Sequence, residues 1–389
     1  MENCCWSATK IVILYMHLRS LSLVNFKNYE QAEISLTARI NCFVGENGVG
    51  KTNILDAVHY LALCKSNLNP VDTQNIRYDQ DFSVIQGVFS RDEKDENILC
   101  GLNRQKKKQF KRNKKEYKKL SEHIGLIPLV MVSPYDSVLI NGGSEERRRF
   151  INGVIAQYSK DYLENLIRYN RALSQRNRLL KDFAAKGGFD ASMLEVWDEQ
   201  LERFGSPVVK ERQRFVDELI PVFSVYYEKV SGNREQVSLD YRSQLLEKDF
   251  LEGLRQAREK DRALQYTTFG LHKDDLGMKL GDFNLKKVGS QGQQKTYLAA
   301  LKLAESKFIR KHTGRTPILL LDDIFDKLDA SRVKHLIALV SEEKFGQIFI
   351  TDTSESRLAG ILESVPADHR VFHIDHGAQI REKGEQDGT

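Results

Sequence analysis

Phe43–Leu61, FVGENGVGKTNILDAVHYL, decides how the 389-residue chain is read. Within it GENGVGKT fits the phosphate-loop pattern G-x-x-x-x-G-K-[ST] at every fixed position. Small residues at Gly45, Gly48 and Gly50, with Glu46, Asn47 and Val49 between them, let consecutive backbone N–H groups converge on a β-phosphate, and the helix that follows adds its positive N-terminal end. Lys51 then reaches the β- and γ-phosphates, and the Thr52 hydroxyl is placed to ligate Mg²⁺. The flanks agree: INCFV reads as a buried strand, and Asn53 to Leu63 as a helix with Ile54, Leu55, Val58, Leu61 and Ala62 on one face. A chance match to eight residues is the alternative, and strand and helix in place make it the weaker one.

Some 270 residues later a second signal occurs in ILLLDDIFDKLD. Ile318 to Leu321 make a fully buried parallel strand, and Asp322 and Asp323 emerge at its C-terminal end, where open α/β sheets bind ligands. Adjacent carboxylates on a strand end point apart, which permits two tasks: Asp322 in the Mg²⁺ shell, Asp323 orienting or deprotonating an attacking water. Two loop or capping carboxylates are the plainer reading. The third signal is VGSQGQQKTYLAALKLAE, where Ser290, Gln291, Gly292 and Gln293 open a strongly helical segment. A serine hydroxyl and free N–H groups at a helix start make an anion site, able to close over a γ-phosphate held by another copy of the chain; an N-cap that only starts the helix is the alternative.

Between these signals the texture changes. Met16 to about Pro134 is strand-rich, Ser144 to about Asp261 is helical, and α/β texture returns after Tyr266 with a helix from Gly292 to about Lys311, the strand PILLLDD, a helix from Ser331 to Glu343 and the strand QIFIT. The helical part reads as an antiparallel pair or small bundle: Ser144 to Lys181, roughly 55 Å if unbroken, a break at KGGFD, then Met193 to about Val230, bent or interrupted near Gly205 to Pro207 and at Pro221. The expected fold is α/β, one nucleotide-binding domain split by a helical insertion, with segments 16–145, 146–262 and 263–389. Residues 1–15 read as an unstructured extension, because Met16 could be the true start.

Composition sets further limits. No run of about 18 apolar residues occurs, which excludes a membrane-embedded transporter. Cys4, Cys5, Cys42, Cys64 and Cys100 are odd in number and include no CxxC pair, as expected of reduced cytosolic thiols and not of a disulfide framework or zinc site. Net charge is +5, yet Arg104 to Lys119, RQKKKQFKRNKKEYKK, holds ten basic residues and one Glu, so this run carries +9 and the remainder −4. A mildly acidic body with one basic element suggests a local polyanion contact through Lys106, Lys107, Lys108, Lys111, Arg112, Lys114 and Lys115. A solvated hairpin tip is the alternative.

In this order, P-loop, helical arm, S-x-G-Q signature and LLLDD resemble the ABC-type ATPase heads of chromosome maintenance and repair. Within them, RALSQRN, EVWDEQL and SQGQQKT resemble the RecF family of bacterial recombination mediators. The resemblance covers nearly the whole chain. It implies ATP and Mg²⁺ as cofactors, an ATP-dependent homodimer, weak DNA-stimulated hydrolysis, binding to single-stranded, duplex or junction DNA, and action with RecR and RecO in loading RecA. It assigns Ser290, Gly292 and Gln293 to a trans nucleotide contact and Leu328 and Asp329 to the D-loop. The chain departs from the pattern of the family it resembles at Lys273, where arginine is usual, and in TDT, Thr351 to Thr353, which carries no histidine where many ABC ATPases have a γ-phosphate sensor. Asp323 stands where glutamate is common, and the Q-loop is expected around MVSPYDS. A transporter-type ATPase subunit would have no use for the insertion or the basic run, and a long coiled-coil organiser would need a longer arm. A nucleotide-regulated DNA clamp with vestigial hydrolysis is the nearer competitor.

Overall fold

The computed structural model describes residues 16–91, 94–232, 235–324, 332, 335, 345–363, 368–376 and 378–382. The extension expected at residues 1–15, and the helix expected from Ser331 to Glu343 apart from Arg332 and His335, lie outside them.

The strand-rich start folds into a six-stranded antiparallel sheet, β2-β1-β4-β5-β6-β7. Its strands are β1 (Met16–Phe26), β2 (Tyr29–Ser35), β4 (Phe82–Arg91), β5 (Lys94–Asn103), β6 (Gln109–Arg112) and β7 (Lys115–Glu116). A register shift between Leu18 and Ser20 marks a bulge in β1, which explains why Leu18 and Leu21, three apart, are both buried. The second sheet, β15-β14-β3-β13-β12-β8, carries the candidate site. Here β3 (Ile40–Val44), β8 (Leu129–Val132), β12 (Ile318–Asp322), β13 (Ile348–Asp352) and β14 (His369–Ile374) run parallel, and β15 (Ile380–Glu382) closes one edge antiparallel. All residues of β3, β8, β12 and β13 are buried, as unbroken apolar runs require when both faces of a parallel sheet are covered. Phe43, Leu320 and Phe349 share a core with Ile54, Leu55, Val58 and Leu61 of α1 (Lys51–Leu63). The alternate residues Cys42, Val44, Leu319, Leu321 and Ile350 join the core of the helical part.

That part comprises α2 (Ser137–Asn141), α3 (Ser144–Tyr158), α4 (Lys160–Lys186), α5 (Ala191–Ser231) and α6 (Phe250–Leu264), with α7 (Leu285–Val288) and α8 (Gln291–Thr313) returning to the sheet. A small sheet, β11-β10-β9, spans β9 (Val237–Arg242), β10 (Asp275–Leu280) and β11 (Phe283–Asn284). Two expectations need correction. The helix over Ser144 to Lys181 is not continuous: Ser159 is extended and caps α4, its hydroxyl accepting from the Tyr162 N–H at 3.2 Å. Of the two readings of the second stretch, bent or interrupted, interruption does not hold: α5 runs 41 residues through Pro207 and Pro221. Each proline removes a backbone donor, and burial of Val208, Val209, Phe215, Leu219 and Phe223 in the shared core offsets that loss.

Charges are buried where the helices meet. Arg176 is fully buried and donates to Asp198 at 2.6 Å, Asp261 at 2.7 Å and Thr267 at 3.0 Å, which joins α4, α5 and α6. Arg212 donates to Asp274 at 2.6 Å, and Arg147 pairs with Asp275 at 2.6 Å, so the paired aspartates of GLHKDD tie the chain's return to the helices. Lys273 lies over the Tyr266 ring at 5.0 Å. Removing one member of a buried network strands its partners' charge. Arg176→Ala is therefore expected to cost about 3–5 kcal/mol in denaturant unfolding, whereas Arg149→Ala, on an exposed helix face, should change stability by about 0.5 kcal/mol or less.

Candidate nucleotide-binding site

The loop after β3 passes through the left-handed region at Gly48, φ 85°, and Gly50, φ 116°, where a side chain would be strained. Gly45 has a second reason for its identity, since a Cβ there would strike the Ile374 carbonyl at the end of β14. The loop's outer wall is the turn between β1 and β2. Asn28 donates to the Val49 carbonyl at 2.8 Å and accepts from Asn53 at 2.7 Å, and the Tyr29 hydroxyl donates to the Gly50 carbonyl at 3.2 Å. Beside them Lys27 and Asp56 form a buried ion pair at 2.5 Å, fixing the turn to α1.

Inside the loop the Lys51 ammonium donates to the carbonyls of Gly45 at 2.8 Å and Glu46 at 2.7 Å. Burial pushes its pKa down, and the carboxylates of Asp323, Asp322 and Asp352 oppose that shift. Asp322 is 2% exposed at the end of β12, and its Oδ1 accepts from the Thr52 hydroxyl at 2.9 Å and the Thr351 hydroxyl at 2.7 Å. Burial raises the Asp322 pKa, while the bonds from Thr351 and Thr52 favour the ionised form. Asp323 sits next to it at φ 47°, its N–H donating to Thr351 at 3.0 Å. Lys51, Thr52, Asp322 and Asp323, read from motifs far apart in sequence, therefore meet at the C-terminal end of the parallel strands. Asn28, Lys27, Asp56, Thr351 and Asp352 also gather there and were not singled out as site residues; only TDT, noted for its missing histidine, pointed to two of them.

Ser290 caps α8 on an exposed turn. Its oxygen accepts from the Gln293 N–H at 3.2 Å, and the Gln293 side chain accepts from the Ser290 N–H at 2.7 Å while donating to Glu235 at 2.5 Å. The capping role is thus filled, and the Ser290 O–H remains able to donate outward. Gln293, expected as a trans contact, spends both ends of its amide within its own chain. Gln291 is exposed, and Gly292 lies close enough to Arg332 that a Cβ would meet its guanidinium at 2.6 Å. Leu328 and Asp329 lie outside the described residues. In the MVSPYDS stretch Ser133 starts a short 3₁₀ turn, and Asp136 faces Lys302 at 3.6 Å.

The basic run divides in two. Lys108 donates to the Cys64 carbonyl at 2.8 Å and pairs with Asp72 at 3.0 Å, and Arg112 makes a two-pronged ion pair with Glu96. These two cations are occupied within the fold. Lys106 and Lys107 on the β5–β6 connection, Lys114 on the tight β6–β7 turn where it and Asn113 both take positive φ, and Lys115 at the start of β7 are exposed, and Lys111 is half-buried opposite Glu116.

Sheet order, phosphate loop and strand-end carboxylates together define an ABC-type P-loop ATPase head. The family model described as the RecF/RecN/SMC N terminal domain matches residues 17–371. A DNA replication and repair protein RecF from Bacteroides thetaiotaomicron is 54% identical over 371 residues, 95% of this chain and 99% of that protein, and one from Phocaeicola vulgatus is 51% identical over 95% and 99%. A solved structure of the recombination mediator protein RecF with ATP, in the RecFOR pathway, superposes with a TM-score of 0.85 at 27% identity over 95% of this chain and 98% of that one. The Smc head domain of Pyrococcus furiosus, at 18% identity and TM-score 0.56, shares the fold. The chain belongs to the RecF family.

The glycine geometry gives a direct test. Gly50→Ala adds backbone strain and drives a Cβ into the Asn28 amide, for an expected loss of about 1–3 kcal/mol in thermal unfolding. Combined with Asn28→Gly, which by itself gives up the bonds to Val49 and Asn53, the loss should be smaller than the sum of the two single losses, because the collision is gone and the strain remains.

Proposed function

We propose that this chain is an ATP-dependent, DNA-binding recombination mediator that dimerises on ATP and, with RecR and RecO, promotes RecA loading at gapped or stalled DNA. The observation that carries the reading is a phosphate loop and an exposed, capped Ser290 turn held on separate elements of one chain. Kinship with RecF proteins over nearly full length supports the biological role.

The donor set suits Mg²⁺-ATP. Thr52 and Asp322 offer hard oxygens, and Mg²⁺ takes few protein ligands, completing its shell with water and phosphate. Bound there, Mg²⁺ supplies charge neutralisation at the β- and γ-phosphates. Lys51 exchanges the Gly45 and Glu46 carbonyls for phosphate oxygens, and the helix start of α1 adds backbone donors. Asp323 orients the attacking water, and Thr351 keeps Asp322 and Asp323 in register. Ser290 of a second copy donates its hydroxyl to the γ-phosphate. ATP then favours the closed dimer by its differential affinity, and hydrolysis removes the bridging charge.

Closure brings two sets of Lys106, Lys107, Lys114 and Lys115 toward one DNA, which raises affinity through effective concentration. A clamp with vestigial hydrolysis is favoured by one feature, the short Asp323 held at φ 47°. Turnover with and without DNA separates that clamp from a weak DNA-stimulated ATPase.

Ser290→Arg should retain ATP binding and stay monomeric in sedimentation with ATP; a dimer would contradict the trans contact. Replacing Lys106, Lys107, Lys114 and Lys115 by Gln should lower DNA affinity and flatten its salt dependence with unchanged thermal stability. Arg112→Gln should instead lower stability, since it leaves the largely buried Glu96 without its cation, and Lys108→Gln should do so by giving up the bond to the Cys64 carbonyl and the pair with Asp72.

A further inference from the structure

Tyr78 is 85% exposed, the most exposed large apolar side chain among the described residues, and Phe82, four residues on, is 46% exposed. Neither ring belongs to the core, yet the backbone beneath them is firmly held. The Arg77 N–H donates to the Asn25 carbonyl at 2.8 Å, the Gln80 N–H closes a turn on the Arg77 carbonyl at 3.1 Å, and the Arg77 side chain pairs with Glu30 at 2.9 Å. Arg104 clamps the other side: its N–H donates to the Asp81 carbonyl at 3.0 Å and its Nε to the Gln80 carbonyl at 2.7 Å. Phe82 opens β4 opposite Asn103, the last residue of β5, and the Asn103 side chain accepts from the N–H groups of Gln105 at 2.9 Å and Lys106 at 3.0 Å. Both rings are thus anchored to the root of the β5–β6 connection, where Lys106 and Lys107 are exposed.

A single exposed aromatic is common on a protein surface and needs no ligand. Here two of them stand on a turn that is hydrogen-bonded to the start of a cationic run. Stacking surface beside phosphate-binding charge is what an unpaired nucleic-acid strand uses. Charge divides the patch further. Asp79 and Asp81, exposed on the aromatic turn, repel a phosphate there, whereas Lys106 and Lys107 attract one. A strand satisfies both halves with its backbone over the lysines and its bases turned onto the rings. A duplex does not, because its base faces are already stacked on one another.

We propose that Tyr78 and Phe82 form a base-stacking platform for single-stranded DNA, with Lys106 and Lys107 holding phosphates of the same strand. Cations alone respond to phosphate and serve any DNA. The rings add a preference for unpaired bases, which gapped DNA presents and intact duplex hides. The platform rests on the DNA-binding reading above and specifies its ligand.

The test measures affinity of the full chain, with Mg²⁺ and a non-hydrolysable ATP analogue, for a single-stranded oligodeoxynucleotide, an abasic strand of equal length and a blunt duplex, each across a salt titration. Tyr78→Ala combined with Phe82→Ala should weaken single-strand binding about tenfold and leave duplex binding unchanged. The salt slope should stay the same, because no phosphate contact is lost. The unaltered protein should bind the abasic strand as weakly as that double variant binds the ordinary one. Tyr78→Ala alone, at a side chain outside the core, should show part of the loss with unchanged thermal stability, and Tyr78→Trp should show none. Lys106→Gln with Lys107→Gln should weaken both strand and duplex and flatten both slopes. Equal losses on strand and duplex, no loss on the strand, an abasic strand bound as tightly as the ordinary one, or a Tyr78→Trp protein as weak as Tyr78→Ala would overturn the platform. Unaltered protein that binds neither DNA would instead overturn the DNA-binding reading on which the platform rests.

Discussion

One carboxylate oxygen, Oδ1 of Asp322, accepts hydroxyls from Thr52 and Thr351 and thereby fixes the ends of three adjacent parallel strands. Strands β3, β13 and β12 bring the phosphate loop, the Thr351–Asp352 pair and the Asp322–Asp323 pair to their C-terminal ends, although Thr52 and Asp322 are 270 residues apart. Sheet order does this work. Parallel strands must be joined by crossovers, so the chain can insert a long helical excursion between neighbours without moving their C-terminal ends.

The excursion is not an independent appendage. Leu319, Leu321 and Ile350 of the sheet share one hydrophobic core with Phe215, Leu219 and Phe223 of α5 and with Tyr297, Leu301 and Phe308 of α8. The helix that begins at Ser290 is therefore braced on the central sheet at one side and on α5 at the other. One packed core thus joins the Ser290 end of the chain's return segment to both the sheet and the helical part.

Features carried by local pattern were legible in the sequence. The phosphate loop, the apolar strand before Asp322 and the capped start of α8 each depend on neighbours within a few residues. Features that depend on distant partners were not. Asn28 gives no local sign that its amide will lie against Val49 and Asn53, and a charge run does not reveal that Asp72 and Glu96 wait for Lys108 and Arg112. Hydrophobic periodicity continued across Ser159, so the break there showed only in backbone geometry, and Pro207 and Pro221 suggested interruptions that packing overrides.

The central claim is that each triphosphate is held by two copies of the chain. Mixing two defective proteins tests it most directly: Lys51→Ala keeps a sound Ser290 turn, Ser290→Arg keeps a sound phosphate loop, and only a mixed dimer can assemble one intact composite site. ATP-dependent association that appears in the mixture and in neither protein alone is the expected result. A mixture as inert as its components, or Ser290→Arg protein that dimerises on ATP unaided, would contradict it.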